Sequence, residues 1–272
     1  MTLMQPLRAS SSTPSAAVRA PAHTIDEVIA RLDAIIETAL VDGDRIGLFA
    51  VLYRTVTAAV KEGIIAGRFE DGPRMERLDV VFANRYLDAF DRYRRGEAVT
   101  QSWRAAFEAG SRSRVVIMQH LLLGMNAHIN LDLGIAAAEV CPGAALAPLE
   151  RDFNEINNVL ATLETSVERE VCSLSPWIGR LVHIEPRAGR VIANFSMNKA
   201  RAAAWATAQR FAPLSGAARD AAIADVDADV TMLSRLIERP IGFMINLNLL
   251  LVRLRETHDV RKAIRVLGAQ AV

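Results

Sequence analysis

Cysteine is almost missing from this sequence. Cys141 and Cys172 are the two thiols in 272 residues, too few and too far apart for a disulfide framework. Their neighbours suggest no cysteine-based zinc site, so each reads as a small buried hydrophobe and the chain as a reduced, cytoplasmic protein. Aromatic residues are sparse at 6%, and Val, Ile and Thr rarely alternate with polar residues, which removes the usual signature of strands. Charge of one sign is missing too. The formal net charge is +1, without the basic excess of a nucleic-acid binder, so no nucleic-acid partner is expected. Long apolar runs are also lacking. Ile241–Val252, IGFMINLNLLLV, is too short to cross a bilayer, the most apolar longer stretch carries too many amides and ionisable groups, and no apolar run of signal-peptide length opens the chain. No membrane span is expected.

What is abundant is Ala and Leu, within a hydrophobic share of 51%. This favours helices throughout and is enough for a large single core. Residues 1–23 are rich in Ser, Ala, Pro and Arg and read as a disordered tail. Residues 24–272 read as a single all-α domain, a bundle of about eight to ten helices around one buried central helix. Thr24 and Glu27 have the spacing of a capping box, and apolar residues then recur at helical spacing to about Leu40. Thr100 is placed to cap a short helix, and Pro148 to open the helix that follows the central one. The loop between those last two is short, so they are expected to pack antiparallel.

The central helix is the organising element. Residues 114–139, RVVIMQHLLLGMNAHINLDLGIAAAE, are apolar on nearly every side, yet carry six buried-side polar residues whose burial is costly without partners. At 100° per residue, His120, His128, Asp132 and Glu139 form one polar stripe, and Gln119, Asn126 and Asn130 form a second. His128 and Asp132 are direct neighbours at i, i+4. One imidazole and one carboxylate pointing the same way are half of a divalent-metal site, with zinc, iron or manganese as the candidate ions. They are equally what a general base needs, a carboxylate that sets the tautomer of an imidazole. Asp152, near the start of the next helix, is the best outside ligand if the two helices are antiparallel. His120 completes the metal set (His120, His128, Asp132, Asp152) only if the helix bends, and Gly124 lies where a bend or a close neighbour would be admitted. Asp79 reads as a buried carboxylate paired with a nearby Arg. Asn126, Asn130, Arg201 and Trp205 form a second candidate set, for a small apolar ligand with one anionic group. His183, in the irregular stretch 173–189, is a further candidate ligand. Asp225, Asp227 and Asp229 have the spacing of a calcium loop, but the pattern there is helical and lacks the required Gly.

The segments QHLLLGMNAHINLDLGIAAAE, FANRYLDAFDRYR and NFSMNKARAAAWATA resemble a bacterial family catalogued only as a domain of unknown function. The resemblance covers most of the chain after the tail. It implies an all-helical, cytoplasmic bacterial protein and no particular activity. The His-x-x-x-Asp spacing is also similar to part of the zinc-binding pattern of the helical P1-nuclease and phospholipase C proteins. Those proteins use many histidines and an exported N-terminus, whereas this chain has five histidines, so their activity is not carried over. Three functional readings follow: an enzyme with a buried His128–Asp132 site, with or without a metal; a binder of a small apolar ligand; and a structural or interaction protein whose polar core fixes packing. The oligomeric state is not set by the sequence.

Overall fold

The computed structural model describes residues 20–178 and 197–269. The expected tail up to residue 19 and His183 lie outside them. The protein is 81% helical, with eleven α-helices and no strand among the described residues, as the composition predicts. They are α1 (Ile25–Asp42), α2 (Ile46–Ile65), α3 (Gly72–Arg94), α4 (Gln101–Ala109), α5 (Ile117–Met125), α6 (Gly134–Val140), α7 (Glu150–Leu174), α8 (Met197–Phe211), α9 (Gly216–Glu238), α10 (Phe243–Arg255) and α11 (Val260–Leu267).

Local chemistry sets most of the ends. The Glu27 amide donates to Thr24 Oγ1 at 3.2 Å, and α1 stops at Gly43, which adopts the left-handed conformation with φ 69°. The return arm of the capping box is displaced by one residue, since Glu27 accepts from the His23 amide at 2.7 Å. Thr100 supplies no side-chain cap to α4. Asp227 of α9 does so instead, accepting from the Gln101 and Ser102 amides and the Ser102 hydroxyl. Ala22 is buried and exchanges two 2.8 Å hydrogen bonds with the Asn84 side chain.

The central helix runs from Ile117 to Val140, and 89% of its most apolar window is buried inside the protein. By length and composition alone it would also pass for a membrane span. It is not one regular α-helix. Between α5 and α6 the eight residues Asn126–Leu133 wind as a π-helix, with i→i+5 bonding and a wider turn. α2, α3, α4, α8 and α9 pack around this helix. The expected antiparallel neighbour is different. Pro148 lies inside a 3-10 turn, Gly143–Leu149, and the long α7 that follows packs on α2 and α11, while α8 lies along α6 and the π segment. The 3-10 turn redirects the chain, so a short loop did not produce adjacent helices.

Candidate functional site

All four polar residues at the middle of the central helix, Asn126, His128, Asn130 and Asp132, fall within the π-helical segment. They divide into two i, i+4 pairs that face different neighbours. Asn130 donates to Asn126 Oδ1 at 2.8 Å, and Asn126 donates in turn to the Val230 carbonyl and Ser234 Oγ of α9, both at 2.9 Å. Gln119 extends this second stripe. It donates to the Ile237 and Glu238 carbonyls and accepts from the Val116 amide. The stripe therefore fastens the central helix along α9 and closes the carbonyl end of that helix. Its amide groups are committed to structure, which is a sufficient reason for them to be there.

The first stripe is assembled differently. Asp132 is buried and accepts from Arg85 Nε of α3 at 2.8 Å through Oδ1, and from Trp103 Nε1 of α4 at 2.8 Å through Oδ2. His128 Nδ1 lies 3.5 Å from the same Oδ2, at the outer edge of hydrogen bonding. Burial alone would raise the Asp132 carboxyl. The Arg85 guanidinium, then the bonds from His128 and Trp103, bring it below the ordinary carboxylate value instead. Burial likewise pushes the His128 imidazole down, with Asp132 opposing. An ionised carboxylate only accepts, so Nδ1 carries the proton and Nε2 keeps its lone pair.

That Nε2 has no hydrogen-bond partner among the described residues, although the ring is buried. The ring sits in a cage of five aromatic side chains. Phe82 is stacked on it at 3.6 Å between centroids, Tyr53 meets it edge-on at 4.4 Å, and Phe49, Tyr86 and Trp103 close the remaining sides at 5.8–6.1 Å. The Tyr53 hydroxyl faces Thr57, and the Tyr86 hydroxyl is buried without a partner among the described residues. So is Asp79 Oδ2 on α3, which lies near enough to raise the Tyr53 hydroxyl further. Among the described residues no Arg pairs with Asp79. Burial, reinforced by Glu76, pushes this carboxyl from 3.8 up to about 7.

The four proposed metal ligands do not converge, which corrects that grouping. His120 lies in α5, two turns before His128, on the far side of Gly124. Gly124 admits a close neighbour: the Phe49 side chain fills the space beside it, 2.4–2.9 Å from where a Cβ would stand. His120 instead borders two cavities, one of about 20 Å³ that also touches the cage residues Phe49, Tyr86 and Trp103, and one of about 10 Å³ beside Arg45, Arg253 and Glu256; each has room for about one water. Asp152 accepts from the Glu70 and Asp71 amides and from Arg74, at 2.7–3.1 Å, and so ties α7 to the turn before α3. Glu139 is exposed and faces Arg219. Among the described residues no group of three His, Cys, Asp or Glu is arranged to hold a metal ion.

The second candidate set is also dispersed in purpose. Arg201 is buried, pushed by burial from 12.5 to about 10, and donates to the Phe153 carbonyl and to Asn157 Oδ1 of α7, with its guanidinium over the Phe153 ring. Trp205 packs against Phe153 with its Nε1 buried and unpartnered. Arg201 thus bonds a neighbouring helix rather than facing the two asparagines.

The scaffold carrying these pairs, α1 to α9, coincides with residues 25–240, which match the model of a family of unknown function, DUF5995. The chain belongs to DUF5995. The match includes the whole π-helical segment, both stripes and all five rings of the cage. No curated protein and no solved structure matches the chain. For this DUF5995 protein, Arg85 and Trp103 are the site residues that the pattern along the chain did not assign. Arg85 lies on α3, whose spacing alone does not direct its guanidinium to Asp132. Trp103 is a core aromatic of the short α4, and nothing local in the sequence indicates that its indole N–H ends on Asp132.

Proposed function

We propose that the protein is an enzyme whose metal-free acid–base centre is the His128–Asp132 dyad on the π-helical segment. The observation that carries this reading is the bare Nε2 of His128. A buried nitrogen without a partner costs about 1–3 kcal/mol, and a phenylalanine would fill the same aromatic cage without that cost. Asp132, fixed by Arg85 and Trp103, sets the tautomer and stabilises the imidazolium that forms when Nε2 accepts a proton. Asp79, with a pKa of about 7, lies close enough to act on the Tyr53 hydroxyl of the cage and is the group suited to exchange a proton near neutral pH. A π-helix inside an α-helix is a frequent mark of a functional site. The cage favours a small, flat or apolar substrate that enters by parting the rings.

A second reading has its own support. Asp132 is fully partnered, and the space next to the cage holds about one water, as expected of a network that only fixes helix register. One experiment separates the two. ¹⁵N-histidine NMR is recorded on the wild type and on His128→Phe while phenol, indole and benzyl alcohol are added. For an enzyme, at least one probe moves the His128 Nε2 resonance and raises the Tm of the wild type but not of the variant. If no probe moves that resonance and His128→Phe is merely more stable, the network reading stands and the enzyme reading falls.

A further inference from the structure

α10 rests on the body through one face only. Ile245, Val252, Arg253 and the following Glu256 are buried, and Ile245 and Val252 cluster with Val116, against which Leu249, Met118 and Trp177 pack. A helix with one apolar stripe would present polar residues elsewhere. This one does not. Phe243, Leu247, Leu250 and Leu254 recur at spacings of four, three and four on the solvent side and are 37–79% exposed; Met244 and Leu251 flank them and Ile241 precedes them. That spacing is the heptad seam of a helix that packs on another helix.

We propose that this seam is the self-association surface of the protein, occupied by α10 of a second copy running antiparallel across a two-fold axis. Area is the first argument. The seven side chains expose on the order of 800 Å², which matches the ~800 Å² per partner of a standard interface and exceeds the ~300–600 Å² of the largest patch on a typical monomer. Charge is the second. From Ile241 to Val252 the chain carries no charged residue, so a contact in which each copy meets the same surface brings no like charges together. Arg255 ends the seam, and its guanidinium lies over Trp177. A parallel pair would set the two Arg255 side by side, whereas an antiparallel one separates them by about 18 Å along a 13-residue helix. Phe243 of one copy then packs near Leu254 of the other, and Leu247 near Leu250.

Sedimentation velocity on the full chain, with Leu250→Glu and Leu254→Lys as variants, tests this. Both positions point to solvent, so the variants keep the wild-type far-UV spectrum and Tm at low protein concentration. The wild type is expected to be a dimer at low micromolar concentration, with each variant weakening the dimer at least about 100-fold. A wild type that stays monomeric to about 100 µM, or a dimer that neither variant weakens, overturns the proposal. So does a monomer that binds phosphatidylcholine–phosphatidylglycerol vesicles and loses that binding in Leu250→Glu, because the occupant would then be a lipid surface.

Discussion

The His128 imidazole lies flat on the Phe82 ring, with centroids 3.6 Å apart and planes 7° from parallel. Stacking of this kind suits a neutral ring, and burial keeps this imidazole neutral. The same contact makes His128→Phe a well-posed substitution, since a phenyl ring can take the stacked place and leaves no buried nitrogen unpaired. The variant is expected to gain about 1 kcal/mol in urea unfolding while losing every response that depends on Nε2. A gain in stability together with a loss of function is the common trade at a working site.

Asp132 behaves in the opposite way. Asp132→Ala leaves Arg85 and the Trp103 indole facing each other without an acceptor. Removing one partner from a buried charged network costs about 3–5 kcal/mol. The variant is expected to unfold at a much lower urea midpoint, and the Trp103 fluorescence to shift as its N–H loses its acceptor.

Asp79 sets a pH dependence. Its folded pKa of about 7 lies above the ordinary 3.8, so between those values the folded state holds a proton that the unfolded state has released. This contribution is fully present below pH ~4 and is lost as pH rises through about 7, at up to ~1.4 kcal/mol per pH unit. Asp79→Asn should remove that slope and be more stable than the wild type at about pH 8, which urea midpoints measured across pH will show.

His120 acts with the other sign. Burial, then Arg45 and Arg253, push it from 6.5 down to about 3, so the unfolded state binds the proton first. Stability is lost as pH falls from 6.5 towards 3. His120→Leu should flatten this acid limb, in a range where Asp79→Asn alone leaves it steeper.

Two helix-interior glycines should resist replacement. Alanine is normally the better helix former by about 1 kcal/mol. A Cβ at Gly124 would stand 2.4–2.5 Å from the Phe49 ring, and one at Gly134 would stand 2.8 Å from the Ala204 carbonyl oxygen of α8. Gly124→Ala and Gly134→Ala are expected to destabilise by about 1–3 kcal/mol, the second more, because a helix backbone yields less readily than a ring. Thermal unfolding of both variants checks the order.

The helices, their approximate ends and the burial of the central one followed from the sequence, because those features depend on spacing of apolar residues and on caps within a few positions. So did the separation of the two asparagines from His128 and Asp132, and the contact between those last two, since four residues apart they are neighbours on either winding. Only the tertiary structure decided what each stripe meets. Arg85 and Trp103 lie 47 and 29 positions from Asp132, and Val230 lies 104 from Asn126; no local pattern encodes such pairings. The π winding was equally illegible, because it exchanges one set of backbone bonds for another within the same apolar pattern. The fate of Asp152 turned on the 3-10 turn at Pro148, which swung α7 away from the central helix and left the carboxylate to tie down amides elsewhere. Local chemistry chose the elements, and long-range packing chose which buried polar atoms were left without a partner.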